Sequence, residues 1–152
     1  ENAPHRLETV GALEGVTYIN DSKATNVDAV FYALGSYDSP IVWIAGGIDK
    51  GNDYSQIASL VQHKVKALVA LGTDTTKLVS FFTGLVPTVY ATSSLEDAVR
   101  QARRLASSGD VVLLSPACAS FDLFRNYEDR GRRFREEIAR LSNPTLTPSA
   151  ND

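Results

Sequence analysis

The chain has 152 residues, a formal net charge of −3, an isoelectric point near 5.4 and 43% hydrophobic residues, enough for one buried core. That balance has no basic excess to hold nucleic acid or an anionic membrane, so an acidic small ligand would have to be held by a few local cations. A lone cysteine, Cys118, excludes an internal disulfide and fits a reducing, cytoplasmic setting, and no apolar run of about 18 residues offers a membrane span.

Apolar runs of strand length alternate with helix-periodic segments. This pattern predicts an α/β fold: a Rossmann-like, three-layer domain with a mostly parallel sheet of about six strands and helices on both faces. In chain order, a strand is expected near 7–13 and another at 16–20. The polar stretch NDSKATN, 20–26, follows, and Val27, Val30, Phe31 and Leu34 at helical spacing then open a helix. IVWIA at 41–45 is a third strand and runs into GGIDKG at 46–51. A helix carrying Ile57, Leu60 and Val61 leads to a strand at 66–71, and one carrying Leu78, Val79 and Phe82 leads to a strand at 87–91. Leu95, Ala98, Val99, Ala102 and Leu105 mark the next helix, whose start is placed by the capping-box spacing of Ser93 and Glu96.

VVLL at 111–114 is the last strand, followed by SPACASFDLFRNY at 115–127 and a helix from about Tyr127 to Leu141. Glu128 with Arg132, Asp129 with Arg133 and Arg132 with Glu136 stand at i,i+4, which makes the arginine run 130–135 a solvated, salt-bridged face. The predicted domain covers 1–142, and 143–152, with two prolines and no periodicity, is expected to be disordered. The opening ENAPHRLE and the absence of methionine suggest a domain taken from a longer protein.

In an open parallel sheet the loops leaving the carboxyl ends of the strands share one rim, and ligands bind there. The three polar loops should therefore meet. Lys23 and Lys50 would be two ammonium groups beside helix N-termini, which favour anions; either alone could be merely solvated, but two in matching loops suit a carboxylate or a phosphate. Gly46 and Gly47 would let the backbone approach a ligand, although the spacing is not that of a dinucleotide fingerprint. Small side chains at Ala117, Cys118, Ala119 and Ser120, after Pro116, suggest a row of uncovered N–H groups at a helix start, with the Ser120 hydroxyl as a further donor. Cys118 has no histidine near it in sequence and reads as a small buried residue, and His63 as a solvated one. No metal-ligand spacing and no P-loop occur.

Taken together, HR at 5–6, NDSKATN, GGIDKG and LLSPACASFDLFRNYEDRGRRF at 113–134 resemble the C-terminal domain of the Mur ligases, over residues 4–141. Within that family they resemble the branch that adds D-glutamate to UDP-N-acetylmuramoyl-L-alanine in peptidoglycan precursor synthesis. The resemblance implies an ATP-dependent, amide-forming ligase working through an acyl phosphate, with Mg²⁺ held mainly by a central domain that this chain lacks. It further implies that Lys50 and Thr25 hold the α-carboxylate of D-glutamate, while Ser120, with backbone near Phe121 and Tyr127, receives the side-chain carboxylate. Lys23, the catalytic candidate, would lie beside that second carboxylate or the reacting centre. Arg6 would reach the ATP phosphates and Asp21 the ribose. On this reading the domain is monomeric and inactive alone, and Ile48 and Phe121 depart from the residues expected around the pocket.

Two other readings stay open at this stage. One is a stand-alone Rossmann-like module that binds a nucleotide or small anion without catalysis, favoured by the missing P-loop. The other is a sister Mur ligase adding another amino acid, which would not need both anion sites.

Overall fold

The computed structural model describes residues 3–143. It contains strands β1 (Glu8–Leu13), β2 (Val16–Asn20), β3 (Ile41–Ala45), β4 (Val65–Leu71), β5 (Thr88–Thr92) and β6 (Val111–Leu114). The helices are α1 (Val27–Gly35), α2 (Ala58–Lys64), α3 (Thr76–Phe82), α4 (Leu95–Leu105) and α5 (Tyr127–Ser142). The expected disordered tail lies, beyond Asn143, outside the described residues.

The strands form one sheet in the order β1-β2-β6-β3-β4-β5. β1 pairs antiparallel with β2, through the two-residue turn Glu14–Gly15, whose φ values of 56° and 80° both lie in the left-handed region that such a hairpin requires. All other pairings are parallel.

Apolar runs such as IVWIA are buried on both faces because helices cover both sides of the sheet. Ile41, Trp43 and Ala45 point into one core with Val27, Val30 and Leu34 of α1, Val61 of α2, and Leu78 and Phe82 of α3. Val42 and Ile44 point into the other, with Leu95, Ala98, Val99 and Ala102 of α4 and Phe134 and Ile138 of α5. Trp43 fixes the first core at depth: its indole N–H donates to the Ser115 carbonyl at 2.7 Å and its ring meets Phe82 edge-on at 5.3 Å.

Three local expectations are corrected. The cap of α4 is Ser94, whose hydroxyl accepts from the Asp97 N–H at 3.1 Å, one residue beyond the predicted Ser93. Ile57 precedes α2 and closes a short 3₁₀ turn, Tyr54–Gln56. The arginine run on α5 is not uniformly solvated: Arg130 is buried at 1% exposure, and Asp129 pairs with Arg132 rather than with the predicted Arg133, which lies over the Phe124 ring. The Arg132–Glu136 pair forms at 3.0 Å as expected. No helix among the described residues is long and apolar enough to cross a membrane.

A candidate ligand-binding rim at the carboxyl edge of the sheet

The strand order places the rim. β2, β6 and β3 are adjacent and parallel, yet the chain leaves β2 and β3 toward the α1–α2 face and leaves β6 toward α5 on the opposite face. A crevice opens where such connections diverge, and three polar loops border it.

In NDSKATN the inner residues build the loop and the outer ones face solvent. The Asn20 side-chain oxygen accepts from the Ser22 N–H at 3.2 Å, while its amide nitrogen donates to Glu8 Oε1 at 2.9 Å and lies 3.0 Å from His5 Nδ1. With its oxygen so engaged, Asn20 is the donor to His5, which leaves the imidazole proton on Nε2. The Asp21 carboxylate accepts from the Leu7 N–H at 3.1 Å and from the Ser115 hydroxyl at 2.8 Å. Ser22 is fully buried, and its hydroxyl donates to the Tyr127 carbonyl at 2.6 Å. Lys23 and Thr25 are exposed, and Asn26 caps α1 by accepting from the Ala29 N–H. Asn20, Asp21 and Ser22 thus fold the loop, and the side chains of Lys23 and Thr25 take no part in that scaffold and face solvent.

The second loop turns on its glycines, but not to admit a ligand. A Cβ at Gly46 (φ 132°) would lie 2.1 Å from the Leu71 carbonyl oxygen, and one at Gly47 (φ 137°) would lie 2.1 Å from that of Ala119. The close approach expected for a ligand is made instead by neighbouring backbone. Beyond them, Asp49 accepts from the N–H groups of Gly51 and Asn52, each at 2.9 Å, from the Tyr54 hydroxyl at 2.7 Å and from Lys77 Nζ at 3.1 Å. These bonds hold its carboxyl below the usual range against the opposing effect of desolvation. Lys50 stands exposed on the turn so formed.

The third loop lies between the other two, and here the expected open N–H row is corrected. No helix begins at 117–120; α5 begins at Tyr127, capped by Asn126. The Ala117 N–H donates to the Ala24 carbonyl at 2.8 Å, and Ala119 exchanges two backbone bonds with Ile48, at 2.9 and 3.2 Å. Those donors stitch the loops together and are not free for a carboxylate. Ala117 has φ 64°, an uncommon conformation for a residue with a side chain, held by its flanking bonds. Ser120 is buried at 2%, and its hydroxyl makes no hydrogen bond among the described residues. Phe121 beside it is 62% exposed, Tyr127 is half-buried, and the departing Ile48 is exposed at the same rim. Cys118 is buried as expected, and burial pushes its thiol pKa up, which suits an inert residue.

The main residue that the sequence pattern concealed is Arg130. Its guanidinium donates to the Ser22 hydroxyl at 2.9 Å, the Ser22 carbonyl at 2.8 Å and the Cys118 carbonyl at 3.1 Å, so it ties the first loop to the third. Burial lowers its pKa to about 10, and it remains charged at neutral pH. Its position in an arginine run hid it. The usable signal was helical spacing, since Arg130 falls one turn before Phe134 on the inward side of α5.

Of the predicted residues, Arg6, Asp21 and Lys23 line one cleft of about 200 Å³, with Leu7, Ala24, Ala29 and Tyr32. Thr25, Lys50, Ser120, Phe121 and Tyr127 lie outside it, on the rim formed by the three stitched loops. Among the described residues no group of three or more His, Cys, Asp or Glu side chains is placed to hold a metal ion.

Comparison with known proteins gives this geometry a context. Residues 5–118 match the family model described as Mur ligase, glutamate ligase domain. The UDP-N-acetylmuramoylalanine–D-glutamate ligase of Cytophaga hutchinsonii is 57% identical over 141 residues, covering 93% of this chain and 31% of the relative. That of Christiangramia forsetii is also 57% identical, covering 93% and 32%. The chain therefore spans about a third of the length of the curated relatives it matches. A solved structure of the bifunctional folylpolyglutamate synthase/dihydrofolate synthase of Yersinia pestis has the same fold, with a TM-score of 0.60 at 17% identity over 93% of this chain and 32% of that one. A six-stranded α/β domain with this rim, matched over most of its length by the family model, belongs to the Mur ligase family, as its C-terminal, glutamate ligase domain.

Proposed function

We propose that this domain is the amino-acid-receiving part of an ATP-dependent ligase that adds D-glutamate to UDP-N-acetylmuramoyl-L-alanine. The observation that carries the reading is the split within the stitched loops: their buried residues are spent on the scaffold, while Lys23, Thr25 and Lys50 face outward and the Ser120 hydroxyl has no partner among the described residues. A dicarboxylic amino acid needs two separated anion sites. Lys50 with Thr25 supplies one, and Ser120, near Phe121 and Tyr127, the other. Since Ala117 and Ala119 have committed their N–H groups, the second site rests on the Ser120 hydroxyl more than on a backbone cradle.

Arg6 and Lys23, on the cleft with Asp21, face the phosphates of ATP and the reacting centre in this reading, and the ribose lies against Asp21. Both oxygens of Asp21 already accept one bond each; a carboxylate oxygen has a second lone pair to offer. Mg²⁺, on this reading, would be held mainly by another domain of the parent protein, and when bound would neutralise charge on the phosphates. This domain's own residues orient the amine nucleophile, an effect worth about 7–11 kcal/mol of barrier where alignment is good. The setting proposed is cytoplasmic, with the parent protein a monomer.

The test is ATP-dependent phosphate release by the full-length parent with UDP-N-acetylmuramoyl-L-alanine present and D-glutamate, L-glutamate or D-alanine offered in turn. Stimulation by D-glutamate alone is the expected result. Stimulation by a different amino acid keeps the reaction and overturns the substrate, and no stimulation by any overturns the reading.

A further inference from the structure

Nothing in the roles given so far accounts for the side chains gathered beneath Lys50. Asp49 receives bonds from two backbone N–H groups, a tyrosine hydroxyl and a lysine, more than a surface turn requires. The Gly51 and Asn52 N–H groups that it holds immediately follow Lys50, so the bonds fix the turn on which that ammonium stands. Lys77, on α3, closes the network by pairing with Asp49 while lying 5.5 Å from the centre of the Tyr54 ring.

The same network reaches the Ser120 loop. Asn52 Nδ2 donates to the Ala117 carbonyl at 2.8 Å and lies 3.3 Å from the Tyr54 hydroxyl, which in turn lies 3.5 Å from Cys118 Sγ. Tyr54 is 1% exposed, so this link is a packed one and not a surface contact. The Lys50 turn is therefore joined, through Asn52 and Tyr54, to the residues just ahead of Ser120.

We propose that Asp49 is a positioning residue for the amino-acid substrate: with Asn52 it fixes Lys50 relative to Ser120 and so sets the distance between the two carboxylates the site accepts. The inference rests on the function proposed above. Asp49 touches no substrate itself. Its removal frees Lys50 to wander, which weakens binding of a rigidly spaced dicarboxylate and leaves the phosphoryl chemistry alone.

The experiment uses the full-length parent protein and steady-state kinetics with each of the three substrates varied. Asp49→Ala is expected to raise KM for D-glutamate roughly tenfold, the loss typical of a charged hydrogen-bonded contact, with kcat and KM for ATP unchanged. Asp49→Asn, which keeps an oxygen for the Gly51 and Asn52 N–H groups, is expected to restore most of that loss. If Asp49→Ala does not fold, Asn52→Ala carries the test, since it cuts the tie to Ala117 and leaves the Asp49 turn, and the same split is expected. An unchanged KM for D-glutamate in a folded variant, or an equal rise for all three substrates, overturns the proposal. Lys50→Ala separates the two levels of argument. A raised KM for D-glutamate in Lys50→Ala but not in Asp49→Ala or Asn52→Ala refutes only the positioning role. A wild-type protein that D-glutamate does not stimulate refutes both.

Discussion

Burial pushes the Asp21 carboxyl from a pKa of 3.8 to about 6, even though bonds from Ser115 and Leu7 and the charge of Arg6 pull it down. The sign of the consequence follows from proton counting. Between these two values the folded chain holds a proton that the unfolded chain has released, so Asp21's contribution to stability is fully present below about pH 4 and is lost as pH rises through 6. The size is on the order of 3 kcal/mol. Urea unfolding of the chain and of Asp21→Asn between pH 4 and 7 is expected to show the variant gaining on the parent as pH rises; parallel curves would refute the assignment. Asp49 and Asp129, whose pKa values are depressed, act in the opposite sense and appear in both proteins, so they cancel in the difference. The sequence revealed that 20–26 was an unusual loop, because polar residues followed a strand. It did not reveal which of them point inward, since Asn20, Asp21 and Ser22 are buried by partners as distant in sequence as Ser115, Tyr127 and Arg130.

Elements were read more accurately than the contacts between them. All six strands and the long final helix fall within a residue or so of their expected positions because continuous apolar runs and i,i+3/i+4 spacings are local signals. The helix caps test how far local rules reach. Two serines stand side by side at 93 and 94, and either could cap α4 by sequence; Ser94 does so because its oxygen meets the Asp97 N–H. Ser94→Ala is expected to destabilise the chain by about 1 kcal/mol and Ser93→Ala by much less. Thermal or urea unfolding of the two variants checks the difference, and a larger effect at Ser93 would restore the original capping box. The expected helix start at 117–120 failed for a comparable reason. Small residues after a proline suit a helix N-terminus, but the N–H groups of Ala117 and Ala119 are bonded across the rim, to the carbonyls of Ala24 and Ile48.

At the scale of the whole molecule the rim depends on Arg130, the buried cation joining the first loop to the third. Replacing it with methionine leaves the Ser22 carbonyl and hydroxyl and the Cys118 carbonyl short of their donors, and is expected to cost about 3–5 kcal/mol by urea unfolding. Arg130→Lys should recover only part, because one ammonium does not match a planar fork reaching three acceptors. A loss below about 1 kcal/mol for the methionine variant would show that the loops hold without it. Fold class was legible from alternating strands and helices, and the meeting of the three loops followed from parallel pairing alone. Strand order was not legible, because the place of β6 between β2 and β3 is decided by where α4 returns the chain.

That central place of β6 has a consequence for how the molecule is made. A ribosome delivers β1 to β5 first, as two separate pieces, a β1–β2 hairpin and a β3–β4–β5 ribbon, with no pairing between them. Only when Val111–Leu114 emerge does a strand exist that can bond to Thr17–Asn20 on one side and Ile41–Ile44 on the other. The sheet closes late, around a strand that follows in sequence both of the pieces it joins, and the rim bordered by the three loops is assembled by the same event.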